Sequence, residues 1–393
     1  MKILALCFFF KPDLSAGSFR ATSVIDALRE RMPESGHIDV LTTRPNRYSS
    51  FSVEAPLQEQ LPGVSITRIA LPGHSSGMLD QARAYATFAR QVLRHVRGRE
   101  YDLVFVTSGR LMTSVLGAWI ARRRHIPYYL DIRDIFVDTI KDVLPRHWAV
   151  VLKPFFSVLE RFAVTTATQV NLISRGFAEY FKNRYPNKEF TYITNGIDDE
   201  FMSEKALPVP QREDGRVEVV YAGNFGEGQG LHAIMPALAK RMRRQVVFKI
   251  VGDGGRRQAL LDALAKEGVD NVEVLPPISR DRLVEVYRTA DVLFLHLNDY
   301  DAFEKVLPSK IFEYGAMGKP IWAGVAGYAA RFVDEELDNA EVFPPCDVEA
   351  AEQAFARLSL KPTPRTAFVA KFGRARLAQQ MADAVLALAG RQP

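Results

Sequence analysis

The sequence predicts an α/β chain of two doubly wound parallel sheets, one after the other, and three observations carry that expectation. At 393 residues the chain exceeds what one hydrophobic core organises. Short apolar runs alternate with helical patterns from end to end, as parallel strands covered by helices require. The alternation pauses between Asn195 and Arg216, where Asp198-Asp199-Glu200, Pro208, Pro210 and Gly215 make a polar, proline-marked connection. Residues 1–200 therefore read as one domain and 201–365 as a second. The last helical pattern, Arg365 to Leu388, is expected to pack back on the first domain, making 366–393 a C-terminal helix.

In the first domain the strands are expected at Lys2–Phe9, His37–Leu41, Ser65–Ala70, Leu103–Thr107, Pro127–Asp131, Gln169–Ile173 and Phe190–Ile193. Each is a short apolar run, too brief for a helix and bounded by polar or turn residues. The run from Leu4 to Phe10 lacks a cleavage region and reads as the first buried strand, not as a signal peptide. In the second domain the same criteria give Val217–Ala222, Val246–Val251, Val272–Leu275, Val292–Leu297 and Pro320–Ala323.

Composition narrows the class. Hydrophobic residues make up 47% and charged residues 25%, which suits a globular chain and excludes a disordered one. Cys7 and Cys346 fall in different halves, so neither a disulfide framework nor a zinc site is expected, and a reducing cytoplasm fits. No segment approaches the roughly 18 to 20 apolar residues of a membrane span. Residues 1–200 hold 26 Lys and Arg against 20 Asp and Glu, and the remainder 25 against 26, so the net +5 divides into +6 and −1. An anionic partner is thus expected for the first half alone. That half carries Arg122-Arg123-Arg124 beside Trp119 and Ile120. It also holds an aromatic segment from Val143 to Ala163 with Arg146, Lys153 and Arg161. Such a pattern suits an anionic lipid surface, and equally one core face of a helix through Phe155, Leu159 and Phe162. No nucleic-acid motif accompanies the charge.

The segment Asn298 to Pro320, NDYDAFEKVLPSKIFEYGAMGKP, says most about function. It follows the run Val292–Leu297 and passes at Ser309-Lys310 into a helical pattern through Glu313 and Met317. A hydroxyl, an ammonium and free backbone N–H groups thus meet at a helix N-terminus, where an anion such as a diphosphate is favoured. Glu313, one turn in, can accept from ribose hydroxyls, while Lys305 can reach the phosphates or a sugar. The competing reading is a capped surface helix with ordinary charges.

Open parallel sheets bind ligands beyond the carboxyl ends of their strands. After the first strand comes KPDLSAGSFR, Lys11 to Arg20, whose Gly17-Ser18 can bring backbone close to a ligand or simply turn the chain. Asp131-Ile132-Arg133-Asp134 ends the fifth strand; it suits a catalytic or acceptor-binding cluster, or an internal Arg133–Asp134 ion pair. In the second domain YAGNFGEGQG, Tyr221 to Gly230, permits tight turns and close phosphate approach without matching the dinucleotide fingerprint G-x-G-x-x-G. Val251-Gly252-Asp253-Gly254-Gly255 and Pro276-Pro277-Ile278 end the next two strands, the latter with backbone groups able to pair with a base edge. Taken together, these strand ends make a nucleotide-sugar site the expectation.

These motifs together resemble glycosyltransferases of the GT-B fold, specifically retaining glycosyltransferase family 4, over nearly the whole chain. GEGQGLH (Gly226 to His232), LPPISRDRL (Leu275 to Leu283), ADVLFLHLNDYDAF (Ala290 to Phe303), LPSKIFEY (Leu307 to Tyr314) and GVAGYAARF (Gly324 to Phe332) are most similar to bacterial O-antigen and capsule L-fucosamine transferases. The resemblance implies two Rossmann-like domains facing a central cleft, the first binding the acceptor and the second the nucleotide-sugar donor. It implies UDP-N-acetyl-L-fucosamine as donor and a lipid-linked, polyprenyl diphosphate saccharide as acceptor, used by a cytoplasmic enzyme peripheral on the inner face of the cytoplasmic membrane.

By position, the family's Glu-x7-Glu signature falls on Lys305 and Glu313, so that a lysine replaces the carboxylate that touches the donor sugar. The family's phosphate-binding Arg and Lys correspond to Asn224 and Gln229, and positive charge is moved to Lys305 and Lys310. Arg133-Asp134 matches the family's His-Asp pair only loosely. The catalytic candidates are Asp131, Arg133, Asp134 and Lys305. The donor-binding candidates are Gly17, Ser18, Asn224, Gly226, Gln229, Gly252, Ile278, Asp301, Ser309, Lys310 and Glu313. With two lysines and a helix dipole aimed at the leaving group, neither a cofactor nor a metal is expected. The Asp-x-Asp of Asp299-Tyr300-Asp301 is then a sugar-hydroxyl contact rather than a metal motif. Two other enzyme classes stay in view, a UDP-sugar epimerase on the same fold and, less favoured, a nicotinamide-dependent oxidoreductase, together with a non-catalytic scaffold.

Overall fold

The computed structural model describes residues 1–13, 15–45, 55–72, 78–137, 146–202 and 212–389. Pro208 and Pro210 of the connection, and Val143 to Pro145 of the aromatic segment, lie outside the described residues. The chain forms two compact units, Met1–Asn195 with Arg374–Pro393, and Gly196–Gly373.

The strands of the first unit are β1 Lys2–Cys7, β2 His37–Thr43, β3 Gln58–Leu61, β4 Val64–Ile69, β5 Leu103–Ser108, β6 Tyr128–Ile132, β7 Gln169–Leu172 and β8 Phe190–Thr191. They form an eight-stranded sheet of order β3-β4-β2-β1-β5-β6-β7-β8. Every pairing is parallel except β3 with β4. The sequence reading omits β3 because QEQL is a half-exposed edge with no apolar run to reveal it. Ile3, Ala5 and Cys7 of β1 pack with Ala21, Val24, Ile25 and Leu28 of the helix Ala16–Arg31. Ser15 starts that helix by accepting from the Ser18 N–H. The helix Arg374–Leu386 closes the same core through Ala378, Met381, Ala382 and Val385.

A buried ion pair ties the carboxyl ends of this sheet together. Asp131, at the end of β6, accepts Arg20 Nε at 2.8 Å and Arg20 Nη2 at 2.9 Å. Thr107 Oγ1 at 2.7 Å and Asn171 Nδ2 at 2.8 Å complete its shell from β5 and β7. Arg20 reaches on to the Ile193 and Thr194 carbonyls at 2.7 and 2.5 Å. Five segments thus share one fully satisfied charge pair.

The strands of the second unit are β9 Val217–Asn224, β10 Val246–Asp253, β11 Val272–Leu275, β12 Val292–His296, β13 Ile321–Gly324 and β14 Ala340–Phe343. They form an all-parallel six-stranded sheet of order β11-β10-β9-β12-β13-β14. The last, β14, is a half-buried edge strand that the sequence reading also omits. Alternate residues serve opposite faces: Val219, Tyr221, Val292 and Phe294 pack in one core, Val220, Ala222, Leu293 and Leu295 in the other.

The boundaries differ from the expected ones by a few residues, for a packing reason. Ile197 and Phe201 lie in the second unit's core with Phe312, and so do Phe368 and Phe372. Residues 196–200 and 366–373 therefore belong to the second unit. The single helical pattern Arg365 to Leu388 is two helices, Thr366–Phe372 and Arg374–Leu386, broken at an extended Gly373 that bridges Ile197.

Removing one partner of a buried pair strands the other charge, which costs about 3–5 kcal/mol. Asp131→Ala should lower the stability of the first unit by that amount in urea unfolding, and an unchanged midpoint would remove the pair from this role.

Candidate functional site

The strand order of the second sheet reverses between β9 and β12, which pair only at Val292↔Val219 and Leu293↔Val220 before their ends part. Such a switch point opens a crevice at the carboxyl ends of the strands. Gly223 and Gly252 sit side by side there at φ 151° and 148°. A Cβ on Gly252 would strike the Gly223 carbonyl, and one on Gly223 would occupy the place of the Lys310 ammonium. The glycines therefore serve close backbone approach, and one of them seats a cation.

Lys310 opens the helix Lys310–Met317 and folds back so that Nζ lies 5.4 Å from the centre of the Tyr221 ring. Burial lowers its pKa, and Glu313 opposes that shift. Glu313, one turn on, takes the Tyr287 hydroxyl at 3.4 Å. Arg280 stands in the field of Glu313 while ion-paired with Asp198 and, at 3.4 Å, with Glu200. Ser309 precedes the helix and makes no side-chain cap. Lys305 and Asp301 belong to the 3-10 turn Asp301–Lys305, with Asp301 exposed. Ile278 is half-buried against the core.

Asn224 and Gln229 face each other. Asn224 Nδ2 donates to Gln229 Oε1 at 2.9 Å, and the Gly226 N–H donates to the same oxygen at 3.2 Å. Glu227 latches the turn from outside, accepting Tyr300 Oη at 2.6 Å and pairing with Arg256. From beneath, three consecutive carbonyls are held: Glu227 by Asn298 Nδ2 at 2.9 Å, Gly228 by the Asn298 N–H at 2.9 Å, and Gln229 by His296 Nδ1 at 2.7 Å. The other ring nitrogen, Nε2 of His296, accepts the Cys346 N–H at 3.0 Å. Lys310, Glu313, Asn224, Gly226, Gln229 and Gly252 thus gather on the carboxyl ends of one sheet. Gly223 joins them from the glycine-rich stretch read in the sequence. Tyr287, Arg280, His296 and Asn298 belong with them and were not singled out by the sequence reading, although a histidine inside an otherwise apolar strand was a visible signal.

Gly17, Ser18, Asp131, Arg133 and Asp134 lie in the first unit. Arg133 covers Gly17 so closely that a Cβ there would overlap its guanidinium. Burial lowers the Arg133 pKa to about 10, with Asp131 opposing. Asp134 is exposed, yet desolvation raises its carboxyl against the pull of Arg133. Asp131 is fully buried and serves the ion pair described above. Ser18 is buried too, its hydroxyl turned inward. On the helix Leu111–Arg124, Arg122 lies over Phe162 and Arg123 over Trp119. Trp119 at 44%, Phe155 at 58% and Val158 at 67% are exposed. Arg124 departs from this face, donating to the Val96 and Arg99 carbonyls. Among the described residues no helix is long and apolar enough to cross a membrane, and no three metal-ligating side chains cluster.

The two halves match known families in sequence, the glycosyl transferase 4-like domain over residues 21–196 and the glycosyl transferases group 1 over residues 203–374. The chain thus carries these two glycosyl transferase domains, in the GT-B fold. The chain is 28% identical over 165 residues to the putative colanic acid biosynthesis glycosyl transferase WcaI of Escherichia coli K12, a stretch covering 42% of this chain and 38% of that protein. It is 33% identical over 138 residues to the D-inositol 3-phosphate glycosyltransferase of Saccharomonospora viridis, covering 33% and 31%. The alignments thus span about a third to two fifths of those relatives' lengths. Among solved structures, Anabaena Alr3699/HepE in complex with UDP and glucose superposes with a TM-score of 0.70 at 19% identity, covering 98% of this chain and 99% of that one, a likeness of fold.

Burial holds the His296 imidazole at about 4, below its ordinary 6.5, with the Gln229 contact opposing. Between those values the unfolded chain binds a proton that the folded chain refuses, so stability falls as the pH drops from 6.5 towards 4, by at most about 3 kcal/mol. Urea midpoints taken from about pH 7 down to about pH 4.5 should fall more steeply for the parent than for His296→Gln. Parallel curves would show that the ring is not held neutral.

Proposed function

We propose that this glycosyltransferase moves a sugar from a UDP donor with retention of anomeric configuration, in O-antigen or capsule biosynthesis. In this reading N-acetyl-L-fucosamine is the sugar and a polyprenyl diphosphate-linked saccharide the acceptor. The observation that carries the reading is the Lys310 ammonium seated on Gly223 at the switch point, with Glu313 one turn behind it. A cation there meets the diphosphate, and the carboxylate meets the ribose. The complex of HepE with UDP supports the nucleotide, and the likeness to WcaI supports polysaccharide assembly.

Transfer breaks the bond from the anomeric carbon to UDP and forms one to an acceptor hydroxyl, whose proton leaves with the diphosphate. Lys310, Lys305, Ser309 and the helix N–H groups stabilise that leaving group, so no metal is needed. Arg133 and Asp134 form the acceptor-side pair. A screen of UDP release from several UDP-sugars with a lipid-linked acceptor tests the reading, and turnover without acceptor would favour an epimerase instead. Lys310→Ala should lower kcat about 100-fold, and Glu313→Ala should raise the donor KM about tenfold. Chelation by EDTA should leave the rate unchanged. Variants within twofold of the parent, or EDTA inhibition reversed by Mg²⁺ or Mn²⁺, would overturn this arrangement.

The acceptor's lipid gives the basic first unit its purpose: Arg122, Arg123, Trp119, Phe155 and Val158 dock on an anionic membrane surface, with Lys153 alongside. Each basic residue near such a surface contributes about 1 kcal/mol. Arg122→Ser with Arg123→Ser should therefore weaken binding to phosphatidylserine vesicles about 30-fold at low salt, and added salt should weaken the parent. Equal vesicle binding by parent and double variant would reject this face.

A further inference from the structure

The donor-side glycine turn closes on itself through the Gln229 N–H to Gly226 and Gly230 N–H to Glu227 hydrogen bonds, and a second set of bonds ties it to the chain at and just beyond the end of β12. Glu227, Gly228 and Gln229 form a three-residue 3-10 turn, and all three of their carbonyls point at donors supplied by the end of β12. Two residues, His296 and Asn298, provide every one of those donors. Gly324 leaves room for the histidine ring, because a Cβ there would meet its edge. The ring also packs against Phe294 at 6.1 Å and Phe343 at 6.2 Å, which themselves lie 6.2 Å apart. Cys346, at φ 60°, turns its N–H onto Nε2. Because Nε2 accepts, the proton must sit on Nδ1 and be donated to Gln229. The Asn298 amide is likewise fixed at both ends, since its Oδ1 accepts the Asp299 N–H at 3.1 Å while Nδ2 serves Glu227.

We infer that His296 and Asn298 are positioning residues for the nucleotide: by drawing three successive carbonyls down onto β12, they fix which face of the glycine turn meets the donor. The inference rests on the donor reading above. Carbonyl oxygens turned toward the crevice would repel a diphosphate, whereas carbonyls tied beneath leave that face to N–H groups and to the Asn224–Gln229 amide pair. Neither residue touches the donor; each acts through the turn.

The two ring nitrogens can be tested separately. An asparagine amide nitrogen stands off the γ carbon, as Nδ1 does, so His296→Asn keeps the donor to Gln229 and loses the acceptor for Cys346. A glutamine amide reaches the position of Nε2, so His296→Gln keeps the acceptor and loses the donor. Both variants lose the ring stacking and should melt at similarly lowered temperatures. UDP binding, measured by isothermal titration on the full chain, should stay within about twofold of the parent in His296→Asn and weaken about tenfold in His296→Gln, the worth of one hydrogen bond on a buried carbonyl. Asn298→Asp, which keeps the oxygen facing Asp299 and removes the donor to Glu227, should weaken UDP by a similar factor. If His296→Gln and Asn298→Asp bind UDP as the parent does, or if both His296 variants lose affinity alike in step with their melting temperatures, the positioning role is overturned while the donor reading stands. A parent that binds no UDP overturns the donor reading and this role with it.

Discussion

A guanidinium and a carboxylate buried together at the carboxyl ends of the first sheet determine how that unit closes. Arg20 comes from the helix that follows β1 and Asp131 from the end of β6, so their union fixes helix and strand against each other at the carboxyl edge of the sheet. Burying two charges is costly unless every lone pair and proton is answered. Thr107, Asn171 and the carbonyls of Ile193 and Thr194 answer them, which is why β5, β7 and the segment beyond β8 are drawn into the same knot. Arg133, two residues beyond Asp131, inherits this field: a buried anion next to it keeps its guanidinium charged despite desolvation.

The second unit solves the same problem with neutral groups. Its strand-end loops are long on backbone and short on side chains, and their polar atoms are tied by amides, an imidazole and a phenol. Gly223 and Gly252 let β9 and β10 run together to their last residues, leaving a place beside the strand end that only a thin, charged chain such as lysine fills. The arrangement places the Lys310 ammonium at the switch point in the field of Glu313, while Arg280 pairs with Asp198 and Glu200, and Glu227 with Arg256.

Much of this was legible in the sequence because its causes are local. Twelve strands announce themselves as short apolar runs, the edges β8 and β11 among them; β3 and β14 escape because QEQL and AEVF are short, half-exposed edges interrupted by polar residues. Lys310 and Glu313 are readable from their place just after an apolar strand and at a helix start. The roles of His296, Asn298, Tyr287 and Arg280 are not, because each is defined by a partner 26 to 82 residues away. Asp131 shows the same limit: a carboxylate at a strand end looks like chemistry until its arginine, 111 residues earlier, is found lying on it. In the run Arg122-Arg123-Arg124 nothing in the letters reveals that the third residue turns inward to cap its neighbours' carbonyls.

The route of the chain imposes an order on its own assembly. The second unit is one continuous stretch, Gly196–Gly373, but the first is completed by Arg374–Leu386, which lays Met381 and Val385 against the helix Ala16–Arg31. During synthesis from the N-terminus, that apolar helix face must wait uncovered while the whole second unit is made. The first unit is therefore completed only after the second has been made, and its closing contacts join segments such as Arg31 and Asp383, 352 residues apart, the kind of long-range closure that folds slowly.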